Sequence, residues 1–251
     1  MKIGRCPDIG IMLPDMKTGC CHDDDIRTCE EGEDMPRYKA ALFDLDGTIS
    51  DSGPGIMNSV RYALERMERA PLPEETLRRF VGPSLLYSFV TYAGMTEEEG
   101  WKAIDYYRER YLGGEVFNLT IYEGLPQLLE LLGRNGVLCA VVTAKPQAMA
   151  QKILERFDLE KYFVSLTGPD MDGLTNEKVD LIRRALARLG LENRDAVMIG
   201  DTRFDIIGAK NAGCESIGVT YGYGTREELE ENGADHLAGS PAQIAPLVLG
   251  S

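Results

Sequence analysis

Apolar and polar positions along the chain predict strands and helices in turn from residue 39 onward. The first short apolar run, KAALFDL at 39–45, is followed by Asp and Gly, as expected of a buried parallel strand. Further apolar runs predict strands at 137–143, 162–166, 196–200 and 216–220. Amphipathic patterns predict helices at 125–135, 146–157, 177–189 and 204–212. Strands that alternate with helices form a parallel sheet covered on both faces, so we expect an α/β fold.

Residues 54–119 carry helical patterns and no strand pattern. Pro54 suits the first turn of a helix, and Thr96 with Glu99 forms a capping box that opens another helix. We therefore expect an all-helical cap domain, inserted after the first strand of a core formed by 37–53 and 120–251.

Residues 1–36 differ from the rest of the chain. They are rich in Asp, Glu, Cys, Gly and Pro without periodicity, so we expect a disordered acidic extension. Four of the six cysteines lie there beside His22, at Cys6, Cys20, Cys21 and Cys29. Their spacing has no paired C-x-x-C repeat, which argues against a zinc site. Cys139 lies in an apolar run and is expected to be a buried thiol.

The charge of the chain restricts its partners. The 251 residues carry a formal net charge of -14, which disfavours binding to a nucleic-acid polymer. A small phosphate remains possible if a cation and local donors surround it. The sequence has no apolar run of about 18 residues and no secretory signal at its start, so we expect a cytoplasmic protein without a membrane partner.

Two carboxylates follow the first strand. Asp44 and Asp46 are two residues apart on an extended chain, so their side chains point the same way while Leu45 points into the core. Gly47 permits a sharp turn away from the sheet. Adjacent carboxylates repel each other unless a cation or a shared proton stabilises them. The alternative is an ordinary polar turn, since Asp-Gly is a common turn signal.

Candidate phosphate ligands follow the next strand and open a later helix. The segment Thr143-Ala144-Lys145-Pro146 offers a hydroxyl and the backbone N–H groups of a helix start, which suit an anion. The alternative there is a helix N-cap with an exposed lysine. Lys178 stands near a helix N-terminus, where the helix dipole disfavours a cation, and this placement favours a functional role over a surface lysine.

Two more carboxylates, Asp201 and Asp205, follow a later strand. Taken alone, Asp201 could instead cap the following helix. In open α/β sheets, however, sites form at the carboxyl ends of strands, and all these residues follow strands. Carboxylates, a hydroxyl and a lysine along one sheet edge match Mg²⁺ and a cradle for phosphate.

The motifs FDLDGT (43–48), VVTAK (141–145), Lys178 and GDTRFD (200–205) together resemble the haloacid dehalogenase superfamily. The resemblance extends from about residue 38 onward, and the helical block is similar to the inserted cap of that family. DSGPGIMNSVRYAL, RRFVGPSLLYSF and VTYGYGTREEL look most like phosphoglycolate-phosphatase-like and bacterial 5'-nucleotidase-like members. The resemblance implies a Rossmann-like core with a cap, and a Mg²⁺-dependent phosphatase for small phosphate monoesters.

The resemblance also implies catalytic roles. Asp44 would attack phosphorus and form an aspartyl-phosphate, and Asp46 would act as general acid and then base. Asp44, the backbone carbonyl of Asp46, and Asp201 would hold Mg²⁺.

Other residues would bind phosphate or support the site. Phosphate would be bound by Thr143, Ala144 and Lys178, and the site would be supported by Asp205, Gly47 and Thr48.

Specificity would come from the cap. Arg79, Gly82, Pro83 and Ser84 lie where the family places a specificity segment, although Arg79 could equally belong to a solvated helix face. Tyr221 and Tyr223 could border the site, or could be exposed aromatics in a glycine turn.

Other functions stay open beside the phosphatase. Dehalogenases of the superfamily lack the second aspartate, so Asp46 argues against that reaction. A sugar-phosphate mutase would keep every residue named above, and a silent binding member would have lost one of them. The expected partner is a small phosphorylated metabolite, and the chain could be a monomer or a homodimer.

Overall fold

The computed structural model describes residues 35–170 and 177–250. The interpretation of the N-terminal extension, with its four cysteines and His22, lies outside the described residues. Cys139 is buried, as expected. No helix in the described ranges is both long and apolar enough to cross a membrane.

The predicted parallel sheet is confirmed. Six strands pair in parallel in the order β5-β4-β1-β6-β7-β8. The strands of this sheet are β1 (Ala40–Phe43), β4 (Leu138–Val142), β5 (Ser165–Thr167), β6 (Ala196–Gly200), β7 (Glu215–Val219) and β8 (His236–Ala238). β1 is central, and Phe43 pairs with both Val141 of β4 and Ile199 of β6. The chain therefore leaves β1, β4 and β6 at the same level of one sheet edge.

Helices cover both faces of the sheet. The helices that follow the strands are α5 (Leu125–Arg134), α6 (Gln147–Arg156), α7 (Lys178–Leu189), α8 (Arg203–Ala212), α9 (Arg226–Glu231) and α10 (Ile244–Leu249). On one face Phe43 belongs to a core with residues of α5, α6 and α10. On the other face Leu42 belongs to a core with residues of α7 and α8. Alternate residues of β1 thus serve opposite cores, as the pleat of a strand requires.

The helical block lies between two short strands. β2 (Ser50–Asp51) and β3 (Thr120–Ile121) pair antiparallel. Between them run α1 (Gly53–Arg66), α2 (Glu74–Arg78), α3 (Leu85–Ala93) and α4 (Glu97–Leu112). α4 packs against α1 and α3. The predicted capping box of Thr96 and Glu99 opens α4. That this block is a separate cap domain stays a prediction.

The sequence pattern did not predict β2, β3, β8, α9 or α10. Each has six residues or fewer, which is too short for a repeating pattern to stand out. The β2–β3 pair matters for the site, because it brings the two ends of the helical block together shortly after Asp46 in the chain.

Candidate active site

The predicted site residues meet at the carboxyl edge of the sheet. Asp44 directly follows β1, Thr143 follows β4, and Asp201 follows β6. Lys178 is the first residue of α7, and Asp205 lies in the first turn of α8. The three aspartates and Thr143 are buried. Parallel strands place their carboxyl ends at one edge, which is why residues more than 150 positions apart converge.

Lys178 joins two of the carboxylates. Its Nζ lies 2.8 Å from Oδ1 of Asp44 and 2.7 Å from Oδ1 of Asp205, and it donates to the backbone oxygen of Val142 at 2.9 Å. Burial lowers the pKa of Lys178, but the carboxylates of Asp205 and Asp44 outweigh burial and raise it. The amine is therefore an ammonium, held at the end of β4 next to Asp44.

The cluster has more carboxylates than cations. Oxygens of Asp44, Asp201 and Asp205 lie within 4.8 Å of one another. Burial raises the pKa of Asp201 well above the ordinary aspartate value, and Asp205 and Asp44 raise it further. Burial likewise raises the pKa of Asp44, although Lys178 opposes this. Burial therefore disfavours the ionised forms of Asp44 and Asp201, and a divalent cation bound between the three carboxyl groups would offset this cost. An all-oxygen set of this kind suits Mg²⁺.

Asp201 is fixed by two donors. The backbone N–H of Tyr223 donates to Oδ2 at 2.7 Å, and the Thr48 hydroxyl donates to Oδ1 at 3.3 Å. The alternative that Asp201 caps the next helix is wrong. The N-cap of α8 is Thr202, whose backbone N–H and hydroxyl both donate to Oδ2 of Asp205.

Asp46 makes a second, separate set of contacts. Its Oδ1 accepts a hydrogen bond from the Ser52 hydroxyl at 2.6 Å, and its Oδ2 lies 3.1 Å from Nζ of Lys145. Asp46 remains close enough to Asp44 to raise the pKa of that carboxyl group. The two aspartates thus lie at one site, but each is paired with its own lysine.

The alternative of an exposed lysine at position 145 is also wrong. The Lys145 side chain is only 5% exposed, and α6 has Pro146 as its N-cap. Besides Asp46, Lys145 donates to the Tyr111 hydroxyl at 2.8 Å. Its backbone N–H donates to Oγ1 of Thr143 at 3.1 Å, so the loop after β4 folds around this hydroxyl.

Tyr221 and Tyr223 lie against the loop after β1. The Tyr221 hydroxyl donates to the backbone oxygen of Thr48 at 3.0 Å, and the Tyr223 hydroxyl bonds to Asp51. Both are partly buried, so the alternative of exposed aromatics in a turn is wrong. They support the loop that carries Gly47 and Thr48.

A cavity of about 110 Å³ opens beside Asp46. Gly82, Pro83 and Ser84 line it from the helical block, and Ala144 and Lys145 line it from the core. Its apolar wall includes the aromatic side chains of Trp101, Tyr107 and Tyr111 together with aliphatic side chains such as Ile104 and Met149.

Arg79 does not line this cavity. Its guanidinium lies 5.9 Å from the ring centre of Tyr92, in a second cavity of about 470 Å³ that Thr202 and Arg203 also line. Of the proposed specificity residues, Gly82, Pro83 and Ser84 are therefore beside Asp46 and Arg79 is not.

Sequence reasoning missed three residues around Asp46. Ser52, Lys145 and Tyr111 all belong to the hydrogen-bonded group described above. The sequence indicated Lys145, because it is part of the VVTAK motif at the end of a predicted strand. It did not indicate Tyr111, because the helix of Tyr111 meets Lys145 only through the tertiary fold.

Comparisons with known proteins include a family model, curated relatives and solved structures. Residues 41–219 match the family model described as haloacid dehalogenase-like hydrolase. A 5'-nucleotidase from Pseudomonas aeruginosa is 36% identical over 208 residues, covering 83% of this chain and 94% of the relative. A phosphoglycolate phosphatase from Neisseria meningitidis is 33% identical, with 84% and 93% coverage. The crystal structure of a predicted phosphatase from Clostridium acetobutylicum superimposes with a TM-score of 0.82 at 40% identity, covering 85% of this chain and 99% of that one.

Proposed function

Since the chain belongs to the haloacid dehalogenase-like hydrolase family, we propose that this phosphatase hydrolyses small phosphate monoesters with Mg²⁺ and Asp44 as nucleophile. The observation that carries the proposal is the buried group of Asp44, Lys178, Asp201 and Asp205. It offers a nucleophilic oxygen, a fixed ammonium and a set of oxygens for a cation within one site.

In the first step an oxygen of Asp44 attacks phosphorus. The new bond to Asp44 forms as the bond from phosphorus to the leaving oxygen breaks, and the electron pair stays on that oxygen. Asp46 in its protonated form supplies the proton, so the leaving group departs as an alcohol. The products are an aspartyl-phosphate on Asp44 and an ionised Asp46.

In the second step water cleaves the aspartyl-phosphate. The ionised Asp46 takes one proton from the water while the water oxygen bonds to phosphorus. The bond between phosphorus and Asp44 breaks, which restores the Asp44 carboxylate and releases inorganic phosphate. Asp46 ends the cycle protonated, as it began.

Phosphoryl transfer depends mainly on positioning and on neutralisation of charge. Lys178 and the Thr143 hydroxyl would bind the non-bridging oxygens, together with the backbone N–H of Ala144. Mg²⁺, when bound by Asp44, Asp201 and the backbone carbonyl of Asp46, supplies further positive charge at the phosphate. Asp205 supports this set by holding Lys178 and Thr202 in place.

The leaving group would lie in the cavity beside Asp46, with residues 54–119 acting as a cap over it. An engineered cavity of about 150 Å³ holds a benzene molecule, so the enclosed part of this cavity suits a compact leaving group. Because the relatives are named 5'-nucleotidase and phosphoglycolate phosphatase, 5'-nucleotides and phosphoglycolate are the first two substrate types to test.

The test is phosphate release from a panel of 5'-nucleotides, phosphoglycolate, sugar phosphates and pyrophosphate, with and without Mg²⁺. Asp44→Asn is measured beside Asp105→Asn, a control at an exposed position of α4. We expect Mg²⁺-dependent turnover that falls by about a thousandfold or more in Asp44→Asn and is unchanged in the control. Isomerised sugar phosphate with little free phosphate would instead establish a mutase. No turnover by folded protein would overturn the enzymatic proposal.

A further inference from the structure

Lys145 is a buried cation without a role in the reaction steps above. Its Nζ contacts Oδ2 of Asp46 at 3.1 Å and the Tyr111 hydroxyl at 2.8 Å, and lies 4.8 Å from the centre of the Tyr111 ring. Lys145 is thus enclosed by protein between the Asp46 carboxyl group and the Tyr111 hydroxyl.

A contribution to stability does not by itself explain the buried pair of Lys145 and Asp46. Burying two charges costs several kcal/mol for each ion before their attraction is counted, and well-packed apolar residues often replace buried ion pairs without loss of stability. Lys145 faces the proposed acid and base and lines the cavity for the leaving group, so its position suggests a role that packing does not supply.

The contacts of Lys145 fix the Asp46 carboxyl group from both sides. Ser52 donates to Oδ1 of Asp46, while Lys145 reaches Oδ2. Lys145 is in turn held by Tyr111, which belongs to α4 of the helical block and stacks on Tyr107 at 5.1 Å between ring centres. The carboxyl group is thus tied to the N-cap of α1 on one side and to α4 on the other.

We propose that Lys145 is a positioning residue that orients the Asp46 carboxyl group toward the leaving oxygen, and that Tyr111 holds Lys145 in place from the helical block. This inference rests on the proposed function, because it assigns Asp46 the proton transfer. It also makes protonation of the leaving oxygen depend on α4, since α4 supplies the Tyr111 hydroxyl that holds Lys145.

The nature of the leaving group tests this role. An alkoxide leaves only with a proton, so hydrolysis of an alkyl phosphate depends on a well-placed Asp46. Acetate is a stable anion that leaves acetyl phosphate without a proton. The alkyl phosphate and acetyl phosphate have leaving groups of similar size, and kcat/KM for each covers the steps up to transfer onto Asp44. A residue that acts only on proton transfer should matter for the alkyl phosphate and not for acetyl phosphate.

The variants are Lys145→Met and Tyr111→Phe, with Lys152→Met as control on the exposed face of α6. We expect Lys145→Met to lower kcat/KM for ethyl phosphate or phosphoglycolate by about 10- to 100-fold, part of what general acid catalysis contributes. Acetyl phosphate should change by less than about threefold by the same reasoning. Tyr111→Phe should show the same pattern to a smaller degree, which covers the case in which Lys145→Met does not fold.

A double-mutant cycle separates positioning from a structural role. In an Asp46→Asn background, Lys145→Met should cause no further loss with the alkyl phosphate, because the group it positions is already absent. Equal losses on both substrates, or additive losses in the cycle, would overturn the inference and leave the proposed function intact. Failure of wild-type protein to hydrolyse either substrate with Mg²⁺ would overturn the proposed function and the inference together.

Discussion

A Cβ atom built on Gly47 would lie 2.1 Å from Oδ2 of Asp201, so the loop after β1 packs directly against the carboxylate that follows β6. Gly47 also has a φ of +84°, which strains any residue with a side chain. We expect Gly47→Ala to displace Asp201 and to lower kcat/KM by about a hundredfold, as an error of about 1 Å in position can do.

The control for Gly47→Ala is Gly133→Ala in α5. No atom lies within 4 Å of a Cβ at Gly133, and this exposed glycine is helical. Alanine there should raise the free energy of unfolding by about 0.5–1 kcal/mol and leave activity unchanged. Chemical denaturation and phosphate release measure both variants. Normal activity in Gly47→Ala would show that the contact with Asp201 does not position the site.

Excess negative charge in the aspartate cluster predicts that Mg²⁺ stabilises the fold. The ion would bind the folded chain and not the unfolded chain, so at one hundred times its dissociation constant it should add about 2.7 kcal/mol to the free energy of unfolding. Asp201→Asn removes one ligand and one charge of the cluster, and we expect it to lose this effect. Thermal unfolding with and without Mg²⁺ measures the change independently of activity. Asp105→Asn should keep the full stabilisation, and an equal Mg²⁺ response in Asp201→Asn would exclude this site.

The two described cysteines should not react with alkylating reagents in the folded protein. Burial raises the pKa of the Cys139 thiol to about 12 and that of Cys214 to about 11. The thiolate is the reactive form, so a raised pKa leaves almost none of it at pH 8. We expect iodoacetamide at pH 8 to label both peptides only after denaturant is added, as read by mass spectrometry. Labelling of Cys139 in the folded state would contradict its burial in β4.

The sequence could predict the part of the site that the sheet itself assembles. Asp44 and Asp201 each follow a strand with a clear apolar pattern, and parallel strands bring their carboxyl ends to one edge. The position of Lys178 could be predicted because it begins one of the helices that alternate with the strands. These positions follow from local sequence patterns and from the rule that sites form at the carboxyl ends of parallel strands, so the sequence alone could predict them.

The contacts of Asp46 could not be predicted in the same way. Lys145 and Tyr111 are 34 residues apart, and their contact depends on how α4 packs on the core, which no local pattern records. Ser52 reaches Asp46 because the chain turns back after Asp46, where the backbone N–H of Gly47 donates to the backbone oxygen of Ser50, and no local pattern shows which later side chain this turn brings to Asp46. The prediction that Arg79 belongs to the specificity segment failed for a similar reason. Arg79 lies in the helical block as expected, but its guanidinium faces the second cavity.

The wall of the cavity beside Asp46 predicts which residue limits the size of the substrate. Trp101 lines that cavity and is partly exposed, so Trp101→Ala should widen it at small cost to folding. We expect the variant to gain activity toward bulky phosphate monoesters relative to compact ones. The ratio of their kcat/KM values should shift by about tenfold, because one or two methylene groups produce an effect of this size in an apolar pocket. Arg79→Ala is the matched control, because Arg79 lies in the other cavity and its loss should leave this ratio unchanged. A ratio that moves with Arg79→Ala and not with Trp101→Ala would place the leaving group in the second cavity instead.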